Sequence, residues 1–550
     1  MTAPVSIIPE TAPFNEEQRE WLNGFLAGWL GMQAASAPGS AAGSLPETGA
    51  ENASAPNSGS DRQQETEEDF PWHDGSIPLE ERLTLAAGKP LKRQLMAAMA
   101  QLDCGACGYV CQTYAEALAN GEETCLKLCS PGGKETAKKL KELLSDAGTA
   151  PASNPTSGVV PGSASDSGSP QTASGSKKEE WSRRNPFPAR ILTVRNLNGS
   201  GSSKQTSHVE IDLTGSGLSY DVGDSLGVWP TNCQELVDSL LKVLHLDEHE
   251  PVEASAGQSL STRQALTEHC CLTEITEELL ELVKNRCSNT EERDLLERLQ
   301  KDDSLMNGWD VLDLLEQASS AQISAAELVS TLSSLQPRLY SISSSMKAVP
   351  HQVHLTVGRV AWTFRNRIRK GVASTMFADR LRTGETVRVF VQKSHGFTVP
   401  QDFQAGMIMI GPGTGIAPFR AFLQERLATQ ASGPNWLFFG DQKSATDFLY
   451  QEELQEYLSG GNLSRLDTAF SRDSEEKIYV QHRMHQAADE LFRWLQNGAH
   501  VYVCGDARRM AVDVDRALHA ILAERLGGEE PATAWLEKMK KEKRYCRDVY

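Results

Sequence analysis

The sequence predicts a multidomain chain: a small helical module built around cysteines, an antiparallel β-barrel interrupted by a helical insertion, and an α/β domain with a doubly wound parallel sheet. Three observations predict it. Five of the eleven cysteines fall within 26 residues, from Cys104 to Cys129. Short alternating strands begin after Pro186, stop for a helical stretch and resume at Arg338. From residue 401 onward, apolar strands are spaced by helices of crossover length.

The chain begins with Asn15-Glu-Glu-Gln18, a capping-box pattern, followed by Trp21, Leu22, Phe25, Leu26, Trp29 and Leu30 at helical spacing. Residues 1–32 therefore read as an amphipathic helix that docks on the body of its own chain or on a partner. Residues 33–79 and 146–185 are rich in Ser, Gly, Ala and Pro and cannot offset their ordering entropy by apolar burial, so both read as flexible linkers. They isolate residues 80–145. With 550 residues and a formal charge of -19, the chain has room for several cores and no nucleic-acid footprint. No secretory signal and no long apolar run is expected, which points to a cytoplasmic protein without a membrane span.

In a reducing compartment, clustered thiols mean a metal or redox site rather than a disulfide framework. Leu91, Leu95, Met96 and Met99 precede the cysteines at helical spacing, Tyr114, Ala117 and Leu118 lie between them, and Leu140, Leu143 and Leu144 follow. Gly105 and Gly108 stand where tight turns would expose amide N–H groups to a cluster. Cys104-x2-Cys107 and Cys125-x3-Cys129, separated by 17 residues, approach a zinc-ribbon spacing but leave Cys111 without a role. A 4Fe-4S cluster on Cys104, Cys107, Cys111 and Cys129, with Pro131 behind the last ligand, leaves Cys125 spare. Both alternatives stand on spacing alone.

Residues 186–400 read as the barrel, with strands at 189–194, 208–213, 338–345, 353–360 and 386–391 and an insertion at 232–335. Within it, Arg338 offers a planar fork to a pyrophosphate, Tyr340 a ring to stack on an isoalloxazine, and Ser341 a hydroxyl for flavin N5. Gly371, Val372, Ala373 and Ser374 open a helix that suits a phosphate. Residues 401–550 read as the parallel-sheet domain, with strands at Met407–Ile410, Asn435–Phe439, Ile478–Val480 and His500–Val503. Gly411-Pro-Gly413-Thr414-Gly415 follows a strand and opens a helix, the setting a dinucleotide pyrophosphate requires. Ser471, Arg472, Lys477, Tyr479 and Gln481 combine a hydroxyl, two cations, a ring and an amide, a set that suits a 2'-phosphate and hence NADPH over NADH. Cys504 ends a strand, and a terminal Tyr550 can cover a flavin and move aside for nicotinamide.

These motifs together, RLYSISSS, Thr356-Val357-Gly358, GVAS, GPGTGIAPFRAF, SRD, KIYVQ, YVCGDARRM and the closing RDVY, closely resemble the diflavin reductase family and, within it, the sulfite reductase flavoproteins. The resemblance covers 186–550 and implies a ferredoxin-reductase-like pair of FAD and NADP domains. It implies that Arg338, Leu339, Tyr340, Ser341, Thr356, Val357, Gly358, Gly371, Val372, Ala373, Ser374 and Thr273 hold FAD, with Tyr550 over the ring. It also implies that Gly413, Thr414, Ser471, Arg472, Lys477, Ile478, Tyr479, Val480, Gln481 and Asp513 hold NADPH, and that Ser341, Cys504, Asp548 and Tyr550 line the hydride path. The CGxCGxxC run and its closing C-x-PGG resemble four-cysteine iron-sulfur modules, although the spacing after the second cysteine is one residue shorter here. Residues 1–185 show no run of parallel strands with phosphate loops, so the cysteine module is expected to stand where the family's flavodoxin domain lies, and no FMN is expected. The implied partner is a siroheme hemoprotein in sulfite assimilation and cysteine biosynthesis. A nitrate or nitrite reductase partner, or a zinc-stabilised interaction module, is the alternative.

Overall fold

A computed structural model describes residues 70–73, 77–105, 107–147, 181–254, 258–394 and 396–550. The amphipathic segment read at 1–32 lies outside them, as do residues 148–180.

The cysteine module is helical, with helices at Leu79–Leu85, Leu91–Ala97, Cys111–Ala119 and Gly133–Asp146. Pro78 and Pro90, extended at ψ 146° and 151°, fix the first two starts. The apolar positions expected from periodicity form its core: Leu95, Met96, Met99, Tyr114, Leu118, Leu140 and Leu144 are buried together with Cys129, and Leu91 and Leu143 pack at the edge.

The barrel comprises β1 (Phe187–Asn196), β2 (Thr206–Asp212), β3 (Ser225–Trp229), β6 (Arg338–Ser341), β7 (Gln352–Gly358) and β10 (Thr386–Gln392). They form an antiparallel sheet in the order β6-β3-β10-β1-β2-β7, and a bridge between Ile342 and Leu355 joins the two edges. Ala189, Ile191, Val209, Ile211, Leu226, Val228, Val353, Leu355, Val387 and Val389 alternate into its interior, as period two requires. Between β3 and β6 lies the insertion, with helices from Gln234 to Thr331 and a small hairpin of β4 (Pro251–Ala254) and β5 (Gln258–Ser261).

A hairpin that the strand pattern did not reveal, β8 (Ala361–Phe364) and β9 (Arg367–Lys370), follows β7. Its turn residues Arg365 and Asn366 have φ of 49° and 59°, a turn made without glycine. Arg367 and Arg369 fasten the hairpin to Asp310 and Asp313 of the insertion, with Arg367 Nη1 donating to Asp310 Oδ2 at 2.7 Å and Arg369 Nη1 to the same oxygen at 3.1 Å.

The last domain is a parallel sheet of β11 (Met407–Ile410), β12 (Asn435–Asp441), β13 (Arg465–Phe470), β14 (His500–Gly505) and β15 (Tyr545–Val549), in the order β13-β12-β11-β14-β15. The strand expected at Ile478–Val480 is not one. Arg465–Phe470 is the edge strand instead, and Val480 begins a helix to Gln486 with Tyr479 at its cap. Three apolar residues were too short a run to hold a strand, and an edge strand carrying Arg, Asp and Thr does not read as apolar.

The helix Ile416–Ala428 is buried on nearly all sides because it lies between this sheet and the barrel. Arg420 donates to Ser343 O at 2.6 Å, and Tyr450 OH meets His208 Nδ1 at 2.9 Å and Thr356 Oγ1 at 2.7 Å. Burial, with Arg420 close by, holds His208 and His354 far below the usual imidazole range, so both rings are neutral beside the Arg420–Glu453 ion pair. Among the described residues, no helix is long and apolar enough to cross a membrane.

Candidate active site

Three side chains from the barrel and the parallel sheet converge at one point. The register pairs Cys504 with Asp548 on neighbouring parallel strands, and the end of β6 brings Ser341 to the same point. Ser341 Oγ donates to Asp548 Oδ2 at 2.7 Å, and Cys504 Sγ lies 3.9 Å from the same oxygen. Burial pushes the Asp548 carboxyl above its usual range while the Ser341 hydroxyl opposes the shift, and the charge of Asp103 adds to it. Burial, with the Asp548 charge beside it, raises the Cys504 thiol well above its ordinary value, so it stays protonated. Tyr550 is anchored two residues on: its N–H donates to Gly505 O at 3.0 Å and its hydroxyl meets Thr414 Oγ1 at 2.9 Å. A Cβ at Gly358 would lie 3.2 Å from Thr414 Cγ2, so the TVG strand shares this corner.

Along β6, Tyr340 meets Phe377 edge-on with ring centroids 5.8 Å apart, and Arg338 donates to the carbonyls of Gln336 and Pro337 at 2.8 and 3.3 Å. Gly371 caps the short helix Val372–Thr375, where a Cβ would fall 2.7 Å from Ser374 Oγ, and that hydroxyl accepts from Val360 N–H at 3.2 Å. Ala373 is buried beneath the turn and Val372 is half-buried. The side chains of Thr356 and Val357 point into the protein, Thr356 to Tyr450 and Val357 into the barrel core. Thr273 is exposed on the loop before the helix Glu277–Arg286, with Cys271 Sγ 3.5 Å from its hydroxyl.

At the nucleotide end, Gly413 has φ of 59°, and a Cβ at Gly415 would run into Cys504 O, which fixes both glycines. Lys204, which sequence reasoning missed, reaches from the barrel to Asp441 at 2.7 Å beside this loop. The turn after β13 is held by Ser471 N–H to Asp441 O at 2.9 Å and Arg472 N–H to Gln442 O at 2.7 Å. Arg472, Lys477 and Tyr479 are exposed along that rim. Ile478 and Val480 pack against the sheet core instead, and Gln481 Nε2 reaches Asp513 Oδ2 at 3.4 Å.

Cys104, Cys107, Cys111 and Cys129 line one apolar cavity with Met99, Leu128 and Pro131, whereas Cys125 is exposed and outside it. Gly105 and Gly108 have φ of 63° and 73°, as the tight turns demand. Burial pushes the Cys107 thiol up to about 12 and raises Cys111 well above its usual value, so thiolates here need a cationic group to hold them. Tetrahedral zinc with Zn–S near 2.3 Å would draw sulfurs to about 3.8 Å of one another. Among the described residues, no three of these sulfurs lie within 4.8 Å of one another. Four thiols on one cavity are a donor set that tetrahedral zinc and a 4Fe-4S cluster both use.

Comparison with known proteins agrees with the two-domain layout. The FAD binding domain family matches residues 179–376, and the oxidoreductase NAD-binding domain family matches residues 409–516. The barrel thus lies in the stretch similar to FAD-binding domains, and the parallel sheet in the stretch similar to NAD-binding domains of oxidoreductases.

Over about two thirds of its length the chain is related to the sulfite reductase [NADPH] flavoprotein alpha-components. It is 48% identical over 386 residues to that of Bacillus subtilis, covering 69% of this chain and 64% of the relative. The Aliivibrio fischeri protein is 45% identical over 377 residues (68% and 61%), and the Neisseria meningitidis protein 44% over 375 residues (67% and 61%). The chain therefore spans 61–64% of the length of these relatives.

Proposed function

We propose that the chain is the NADPH-dependent reductase component of an assimilatory, cytoplasmic sulfite reductase, passing electrons from NADPH through FAD and a 4Fe-4S cluster to a separate siroheme hemoprotein. FMN has no part in this route. The observation that carries the reading is the convergence of Ser341, Cys504 and Asp548 where the FAD-binding barrel meets the NAD-binding sheet. The names of the relatives support the cofactor and the acceptor.

Bound FAD supplies hydride acceptance and one-electron release, and the protein supplies alignment. Arg338, Leu339, Tyr340, Ser341 and the Gly371–Ser374 turn would hold it, with Gly358 at the shared corner. Gly413 and Thr414 would take the pyrophosphate of NADPH. Ser471, Arg472, Lys477 and Tyr479 would take its 2'-phosphate and adenine. Asp548 holds the Ser341 hydroxyl in place and, with its raised affinity for a proton, can take one at Oδ2. The protonated Cys504 thiol excludes water from that face. Tyr550, anchored through Thr414, screens the site until nicotinamide enters.

Cys104, Cys107, Cys111 and Cys129 would ligate the cluster, in the apolar setting that keeps it dry. Anaerobic NADPH titration of the purified protein, with iron and labile-sulfide analysis, tests the reading. FAD reduction followed by bleaching of a second, iron-dependent absorption is expected, as is stimulation of sulfite rather than nitrite reduction on mixing with a siroheme hemoprotein. FAD reduction with zinc in place of iron would refute the electron route.

A further inference from the structure

The cysteine module sits directly on the strand that the reductase motif assigns to the flavin. At Gly105, next to the first cysteine, a Cβ would fall 2.6 Å from Leu339 Cβ, and at Gly108 it would fall 2.6 Å from Pro337 Cγ. Leu339 lies between Arg338 and Tyr340, so the loop reaches the barrel at the centre of RLYS. Only glycine lets the loop backbone approach the Leu339 and Pro337 side chains this closely, and the positive φ of both residues makes the same demand. On the same side, Asp103 is close enough for its charge to act on Asp548.

One guanidinium holds the contact. Arg183, just ahead of β1, stacks over the Tyr109 ring with 3.6 Å from its guanidinium carbon to the ring centroid. It donates to the carbonyls of Cys107 and Gly108 and to the Gln336 side chain, so module and flavin strand are gripped together. Its own carbonyl accepts from Trp229 Nε1 at 2.9 Å, which fixes its backbone to the barrel. A planar, five-donor cation can stack and fork at once, which a lysine cannot reproduce. At the rim, Lys134 pairs with Asp303, and Lys127 lies 3.9 Å from Glu277.

We infer that this docked arrangement is itself the electron-transfer complex: the Cys104–Gly105 turn against Leu339 is the port through which electrons leave the flavin domain, and Arg183 is the positioning residue that keeps it seated. The inference rests on the FAD and cluster reading above. Hydride from NADPH delivers two electrons and one proton to the flavin domain. A cluster held by Cys104, Cys107, Cys111 and Cys129 would take the two electrons one at a time and pass each to a one-electron acceptor of the partner, and the proton would pass to solvent. The module does not have to move for electrons to leave the flavin domain.

The test uses the full-length holoprotein as wild type, Arg183→Ala and the double variant Lys127→Glu/Lys134→Glu, whose exposed side chains leave both cores untouched. Four quantities are measured: iron and FAD content, NADPH-driven ferricyanide reduction, the stopped-flow rate of cluster bleaching by NADPH, and hydrogen exchange at Cys104 and Cys107–Val110. In Arg183→Ala, cluster bleaching is expected to slow roughly 10-fold or more, as displaced reacting centres do. Iron, FAD and ferricyanide reduction should hold at wild-type levels while exchange at the loop rises. The double variant should slow bleaching at low salt, where the new like-charge contacts with Glu277 and Asp303 are unscreened.

Unchanged bleaching in both variants, with faster loop exchange, would overturn the inference by showing that the docked state is not the transferring one. Unchanged loop exchange in both would overturn Arg183 and the rim as the seat of docking. If wild type itself holds no iron or labile sulfide, the cluster reading fails. Loop protection would then mark a purely structural interface, which also overturns the electron-port role.

Discussion

Ser341 Oγ and Asp548 Oδ2 are 2.7 Å apart although 207 residues separate them in the chain. The barrel contributes one and the last strand of the parallel sheet the other, so the bond exists only when both domains are folded and correctly joined. Ser341→Ala and Asp548→Ala should each lower the rate of flavin reduction by NADPH roughly 10- to 100-fold, the scale of a positioned polar group, with FAD content unchanged in Asp548→Ala. Stopped-flow flavin bleaching measures it.

The same carboxyl predicts a pH dependence. Burial raises the folded-state pKa of Asp548 above the unfolded value, so its ionised form disfavours folding at neutral pH, and that penalty disappears as pH falls through the raised pKa. The acid limb of the flavin-reduction profile should therefore lie above the ordinary carboxylate range. Asp548→Asn should abolish that limb and should not lower the melting temperature at neutral pH.

Arg472 and Lys477 stand exposed on the turn and the segment that follow β13. Replacing both by Ala should raise KM for NADPH by roughly 10- to 100-fold, as loss of charge-assisted bonds worth about 1.5–3 kcal/mol would, and leave KM for NADH nearly unchanged. Steady-state ferricyanide reduction with each nucleotide decides it.

Cys125 is the control for the proposed cluster site. Ser at Cys104, Cys107, Cys111 or Cys129 should reduce bound iron and the visible absorption it produces, whereas Cys125→Ser should retain both, because Cys125 lies outside the cavity. Iron analysis of the five variants separates the sets.

Lys204 and Asp441 make a cross-domain ion pair at 2.7 Å, with the carboxylate side chain 1% exposed and the lysine 35%. Lys204→Met strands a buried carboxylate and should cost about 2 kcal/mol, below the full range for a buried pair because Lys204 is partly wet. Adding Asp441→Asn should recover most of that loss, as read by denaturant melts of the three proteins.

Much of this molecule was legible because its signals are local. The apolar runs Met407–Ile410 and His500–Val503 could only be buried parallel strands, and the glycine spacing after Ile410 could only be a turn that something approaches closely. Arg465–Phe470 escaped because an edge strand is free to carry charge on its open side, and the β8–β9 hairpin because Arg365 and Asn366 turn without glycine. The choice between Cys125 and Cys129 could not be made from spacing, since it depends on which way one loop faces. Lys204, Asp441 and Arg183 matter only through partners that are distant in sequence. Thr356 sits in a motif, yet its hydroxyl serves Tyr450, a distinction that a one-dimensional pattern does not carry.

The insertion between β3 and β6 has a consequence during synthesis. β3 lies between β6 and β10, both of which leave the ribosome after the whole insertion. The helical body from Gln234 to Thr331 has its own core and can form while β1, β2 and β3 still lack half of their sheet. It then presents Asp310 and Asp313 to the emerging arginines of β9, a template waiting for its hairpin. Until β10 arrives, the nascent barrel exposes an apolar, unpaired edge, and that interval is where chaperone dependence and aggregation should concentrate.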